Sequence, residues 1–478
     1  MNRYSLPTAA VCATPRLNRM DRVEVALFTT ALSWGLFAFG GAYPWAMWPL
    51  AIACAASGTI ALARGRGRVP MPMVFGLTLV AFTVALQIVP VPSSILATVS
   101  PAAHSFLQTH DVAFALGGQG GHAVSIAPQS TWTALALFSA FGLFCIGQAD
   151  FMSRRGAETV TRIVIILAFA AAIVGVVFKG LSPRLVYGFW AAREGSADPF
   201  GPFVNRNHFA GWMVMAAPLA AGYLLGLHQR RDSRPGGWRR MLLAASSQSG
   251  SSVVLTAFTL LVVGVSVVFS MSRSGVLCFA MAMGILAVQV MRRAARRGAA
   301  VVVAAFLGTV VAIALAWGDV DRALNRFSER DIGRAAVWHD AVNVARAFPW
   351  TGTGLNTYGA AMLEYQRASA EVRFTEAHNE YLQIAAEGGV LVGVPVLVLL
   401  GIFVTQVRRR FREALDAPRT YWLRVGAVVG VIAIALQSVV EFSLQMPANA
   451  VLFAVLCAIA IHKGGNDLHS RRVHARPR

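Results

Sequence analysis

The sequence predicts an all-α, polytopic integral membrane protein of about 12 transmembrane helices with one long extramembrane loop carrying short helices. Two observations carry this. Hydrophobic residues make up 56% of the 478 residues, charged residues only 13%, and the mean hydropathy is +0.58. The apolar residues also fall into roughly a dozen windows of about 18–22 residues, the length that crosses a hydrocarbon core. These windows are near 25–42, 44–63, 71–90, 131–149, 160–179, 207–228, 252–271, 275–291, 299–317, 385–406, 421–441 and 446–463. The first has basic residues before it and no small-residue cleavage site after it, so it reads as a retained signal anchor.

Orientation follows from the basic residues. With the N-terminus cytoplasmic, the clusters at Arg64, Arg66 and Arg68, at Arg154 and Arg155, at Arg230, Arg231, Arg239 and Arg240, at Arg292, Arg293, Arg296 and Arg297, and at Arg408, Arg409 and Arg410 all fall inside. Twelve of the 42 lysines and arginines lie on outward segments and the other 30 inside. The positive-inside bias therefore puts both termini in the cytoplasm. It also accounts for the net charge of +20 through basic loops beside anionic lipid, with no need for nucleic acid. Cys54, Cys145, Cys278 and Cys457 lie in apolar spans, Cys12 in the N-terminal tail, and no outward loop holds a cysteine. No disulfide is expected, and no CxxC or HExxH spacing suggests zinc or any other metal.

The chain divides into residues 1–317, an N-terminal membrane bundle of about nine helices; 318–384, the long outward loop; and 385–478, about three further helices and a cytoplasmic tail. Two shorter outward loops precede the long one. Residues 91–130 hold an amphipathic HSFLQTHDVAFAL and the turn-rich GGQGGH, and residues 180–206 carry Arg184, Arg193, Glu194, Asp198 and Arg206. In the long loop, Ala335, Trp338, Ala341, Val342 and Ala345 recur at helical spacing, and a second helix is expected around Tyr358–Arg367. This loop has seven arginines against nine acidic residues, so the positive-inside bias does not explain its arginines. Its length points to function.

Four motifs converge on the outward side of this topology: FVNRNHFAG at 203–211, SRSG at 272–275, GRAAVWHDAV at 333–342 followed by FPWTGTGLNTYG, and AHNEYLQIAAEGG closing the loop. Ionisable residues gathered at one membrane face are candidates for function. Arginine stays charged and offers a planar fork of donors to phosphate oxygens, which suits Arg273 in its two-helix turn and Arg334 in the loop. An ion pair with Asp331 or Asp340 is the plain alternative for Arg334. Histidine has an unperturbed pKa near 6.5, so its neutral form is present at envelope pH, and His378 is the candidate general base. Asn379, Glu380 or Glu387 could orient the ring or a bound sugar, and Tyr381 could stack on it. Arg206 is a third candidate phosphate ligand, although asparagines at a helix start commonly cap it. His339 and Asp340 are adjacent on a helix and point apart, so they read as structural. TGTGLNTYG lacks the Lys-Ser/Thr of a phosphate-binding loop, and its glycines fit a turn or a close approach to sugar. Glu441 and Gln437 are costly in lipid and are expected to face the bundle.

These motifs, in this order on about 12 spans, resemble the O-antigen ligase and O-antigen polymerase superfamily of bacterial envelopes, over roughly residues 200–405. The chain departs from that pattern at Gly388, Gly389 and Gly393, where the usual spacing is Gly-x-x-Gly. The resemblance implies a glycosyltransferase of the inner membrane that acts at its periplasmic face without cofactor or metal. It would move a glycan from an undecaprenyl-diphosphate-linked donor to a hydroxyl of a saccharide or lipid-linked saccharide acceptor. Catalysis would fall to His378, Arg273 and Arg334, with Arg206, Asn379, Glu380, Tyr381 and Glu387 around the substrates. Protein O-oligosaccharyltransferases share the same signature. A lipid-linked oligosaccharide flippase is the alternative of another class, but it should carry midplane charges on paired broken helices in two related halves.

Overall fold

The computed structural model describes residues 18–65, 69–117, 121–191, 198–228, 248–293, 320–368, 373–413 and 418–464. Among the described residues the regular structure is helical, apart from one two-stranded ribbon in which β1 (Pro90–Pro92) pairs antiparallel with β2 (Gly121–Ala123). Among the described residues, eight helices are long and apolar enough to cross a membrane. They are α2 (Pro44–Arg64), α7 (Pro128–Arg155), α8 (Glu158–Leu181), α9 (Arg206–His228), α10 (Gln248–Phe269), α11 (Arg273–Arg293), α14 (Glu380–Glu413) and α15 (Pro418–Gln437). Two shorter apolar helices, α3 (Met71–Leu86) and α16 (Pro447–Ile461), accompany them. The first expected span appears as α1 (Arg19–Phe37), which starts earlier because Asn18 and Asp21 form a capping box. It ends at a tight turn where Gly40 and Gly41 take positive φ. The expected span 299–317 lies outside the described residues. The protein is a multi-pass membrane protein.

Burial ranks the helices. In α9, 83% of the apolar window is buried, against 17% in α14, so α9 is central and α14 peripheral. Tight contacts between backbones hold the centre. Gly426 on α15 lies against the Pro218 carbonyl and Gly222 on α9 against that of Trp422, leaving no room for a Cβ at either glycine. Gly58 and Gly147 do the same for α2 and α7. Small residues let helices approach where lipid gives no hydrophobic driving force.

At one end of the bundle, where α1 begins and α2 and α7 finish, the carboxylates of Asp21, Glu24 and Asp150 are buried. Arg154 meets Glu24 and Asp150 at 2.9 Å each, Arg155 meets Asp21 at 2.7 Å, and Arg64 bridges Asp21 and Glu24. These arginines, which the sequence assigns to the basic face, are thus paired with carboxylates in the protein.

The long loop contains α12 (Val320–Ala347) and α13 (Tyr358–Tyr365), both at the expected places. With α4 (Ser93–Val99), α5 (Pro101–His110) and α6 (Val112–Ala115) they share a second apolar core that includes Leu96, Phe106, Phe114, Val344, Phe348 and Tyr358. This core fixes the loop to α14. The fixing is unusual: α14 is two helices joined at a kink at Gly389, where φ is 52° and ψ is −155°. The strand of loop at Pro349–Gly354 takes over the interrupted hydrogen bonding. Val390 and Leu391 donate to the carbonyls of Pro349 and Trp350, and Thr353 and Gly354 donate to those of Ala386 and Glu387. Non-helical backbone at this depth is tolerated because protein satisfies it.

Candidate functional site

Glu441, in the short connection between α15 and α16, is met by Asn207 from the first turn of α9, by Arg334 from α12 and by His378 from the end of the long loop, while the turn opening α11 reaches Gln437 at the end of α15. Its side chain is 1% exposed. Arg334, on α12, donates to Oε1 at 2.7 Å, and the Asn207 amide donates to the same oxygen at 2.8 Å. His378 Nδ1 lies 3.9 Å from Oε2, an ion-contact distance too long for a hydrogen bond, and among the described residues neither atom has a hydrogen-bond partner. The Phe442 ring meets both His378, at 4.9 Å, and His208, at 4.7 Å, in T-shaped contacts.

Each part is set by its local structure. The Asn205 side chain accepts from Asn207 N at 2.8 Å and starts α9. The Asn207 carbonyl accepts from Gln437 Nε2 at 3.2 Å, tying α9 to the end of α15. In the SRSG turn, Ser272 Oγ caps α11 by accepting from Gly275 N at 3.2 Å. Ser274 Oγ lies 3.5 Å from Gln437 Nε2, and Gly275 packs against Ala210. Arg273 thus opens α11, half-buried, between neighbours that touch α9 and α15. His378 holds a left-handed backbone, φ 51°, immediately before α14. Such conformations are costly for a residue with a Cβ and cluster at functional sites.

The other sequence candidates are placed as follows. Asn379 caps α14, its Oδ1 accepting from Tyr381 N at 3.0 Å and Leu382 N at 3.1 Å. Glu380 is buried and accepts from Leu444 N at 3.1 Å and Gln445 Nε2 at 3.3 Å, bracing the segment after Glu441. Tyr381 is half exposed, and its hydroxyl donates to the Ala435 carbonyl at 2.8 Å. Glu387 is buried and accepts from Asn356 N, Tyr358 N and Gln383 Nε2 at 2.8, 2.9 and 3.1 Å, so its carboxylate holds the TGTGLNTYG turn. Arg206 pairs with Asp198 at 3.0 Å. Asp340 does not pair with Arg334; it accepts from Arg367 N and Ala368 N at 2.8 Å each. The side chain of Asp331 lies outside the described residues.

Glu441 is the residue to which sequence reasoning gave no role. A glutamate between two apolar segments was the signal. What the sequence does not show is that Arg334, 107 residues away, supplies its counter-charge. Burial pushes its carboxyl up, but His378, Arg334 and His208 more than offset this and hold it below its ordinary value, so it is ionised at neutral pH. The site therefore holds a fixed negative charge between an arginine and a histidine. Arg334 is 35% exposed and meets Glu441 through Nη2.

Comparison with curated proteins gave no match. Residues 257–397, which include Arg273, Arg334 and His378 but not Asn207 or Glu441, match the family model described as O-antigen ligase.

Proposed function

We propose that the protein transfers a glycan from an undecaprenyl-diphosphate carrier to a sugar hydroxyl in surface polysaccharide assembly, with Arg273 and Arg334 on the donor diphosphate and His378 as general base. The observation that carries this reading is the meeting of Arg334 and His378 on the two oxygens of one buried carboxylate, Glu441. With Nδ1 turned towards Glu441, the ring presents Nε2 to an acceptor. The acceptor oxygen bonds to the anomeric carbon as its proton passes to Nε2. The bond from that carbon to the diphosphate oxygen breaks, and the lipid diphosphate leaves with the electron pair. The arginines neutralise the charge that develops on it. Glu441 stabilises the imidazolium and keeps Arg334 in place. Orientation completes the reading: the split of 30 inward to 12 outward basic residues supports cytoplasmic termini and a periplasmic site. An impermeant thiol reagent should then label a cysteine at Ser369 in intact cells and not one at Ser233.

The test is transfer in vitro by purified protein with a lipid-linked glycan donor. Loss of transfer in His378→Ala, with donor binding kept, supports the assignment. Turnover near that of the unmodified protein would remove the histidine from the mechanism.

A further inference from the structure

We propose that α4 is an interfacial helix that holds Ile95 and Val99 in the lipid surface, at the boundary of acyl chains and headgroups. Resting on the multi-pass membrane architecture alone, this is independent of the reaction proposed above.

Depth comes first. The 16 residues of α3 rise about 24 Å, less than the ~30 Å of a hydrocarbon core, so a chain that enters the hydrocarbon at the start of α3 is still within it where α3 ends. Its exposed apolar residues form a stripe that does not stop at the helix end: Phe75, Phe82 and Leu86 are followed by Val89, 49% exposed. Hydrogen bonds then keep the next segment at that level. Gln87 Nε2 donates to the Thr351 carbonyl at 2.7 Å, and Thr351 Oγ1 donates to Ser100 Oγ at 3.1 Å. Both ends of the stretch from Gln87 to Ser100 are thereby tied to one height, and the seven residues of α4 between them span only about 10 Å.

Composition and exposure choose the occupant. In α4, Leu96 points into the second core, while Ile95 and Val99, one turn apart, are 48% and 44% exposed. Residues 88–103 carry no charged side chain, which leaves a protein partner nothing ionic to recognise. Next to Thr351, Trp350 is 67% exposed and accepts from Leu391 N, beside the exposed Val390 of α14. A tryptophan at that position marks the membrane–water interface. A lipid surface continuous with the stripe on α3 fits all of these features. The consequence is that the bilayer, through α4, sets the height of the loop that bridges the break in α14.

The experiment uses the full chain in lipid nanodiscs, in a Cys12→Ser background, since the described cysteines are all buried. Nitroxide labels at Ile95→Cys, Val99→Cys and, as an aqueous control on α5, Thr109→Cys are compared for collision with oxygen and with a nickel chelate. The expected oxygen-to-nickel collision ratio is several-fold higher at 95 and 99 than at 109. Equal ratios would put α4 in water, and low collision with both reagents would mean that protein covers it; either result overturns the proposal.

Discussion

Arg334 and His378 sit on opposite oxygens of the Glu441 carboxylate, 2.7 Å from Oε1 and 3.9 Å from Oε2, although 43 residues of loop lie between them. A charge shared in this way makes Glu441 a positioning residue. Glu441→Gln keeps the shape and removes the charge. Transfer should fall by roughly 10²-fold, the scale on which misplaced catalytic groups act. The drop should appear in kcat more than in KM for the acceptor. Unchanged kcat would leave Glu441 as a packing residue.

The same carboxyl predicts a pH dependence of stability. Its folded value is depressed below the ordinary 4.5, so its contribution is fully present above that value and lost as pH falls through the depressed one. The unmodified protein should be more stable than Glu441→Gln at pH 6–7, and the difference should shrink below about pH 4.5. Thermal unfolding in detergent across that range measures it. A gap that does not change with pH would contradict an ionised carboxylate.

Gly389 and Gly393 should respond oppositely to alanine. At Gly389 a Cβ would lie 2.5 Å from Gly352 N and 2.9 Å from the Pro349 carbonyl, on a backbone at φ 52°. Gly389→Ala should cost at least about 1–3 kcal/mol. Gly393 meets nothing within 4 Å, so Gly393→Ala should be neutral or stabilise by roughly 0.5–1 kcal/mol. Thermal unfolding of the two variants decides; equal effects would mean that the break in α14 is not held by the loop.

The contrast between these glycines shows what was legible in the sequence. Apolar windows located the helices because lipid demands a fixed length and a fixed polarity, and helical spacing located α12 and α13 within the loop. Gly388, Gly389 and Gly393 were visible only as a departure in spacing. Which of them breaks the helix depends on Pro349–Gly354, whose carbonyls and amides no local pattern connects to α14. Glu387 and Asn379 illustrate the same limit at the site. Both are sequence candidates to orient the ring or a bound sugar, and the structure also gives Asn379 a helix to cap and Glu387 a turn to anchor. Local pattern finds polar residues at a membrane face, and only packing tells which of them is spent on structure.

Donor binding separates the arginines. Arg273→Ala and Arg334→Ala should each lose most transfer in protein that still inserts. Lysine should restore little at either position, since a point charge cannot make the paired contacts of a guanidinium. Arg206→Ala should be milder, because that side chain is already paired with Asp198. Transfer should also persist in EDTA if arginine supplies the neutralising charge. Equal losses at Arg206, Arg273 and Arg334 would point to general loop electrostatics in place of diphosphate binding.

His378 gives the sharpest outcome. A positioned base contributes typically 10²–10⁴-fold, so His378→Ala should drop transfer by at least about 10² while the protein keeps its fold and its donor affinity. His208 also packs against Phe442 but is buried, so it should not substitute for His378. His339, exposed and bonded to Asn343 at 3.2 Å, should tolerate alanine. Loss of donor affinity along with transfer in His378→Ala would show that the histidine shapes the site. Loss of transfer alone, with kcat falling and donor Kd unchanged, is the signature of a base, because proton transfer acts in the transition state and not in the bound ground state.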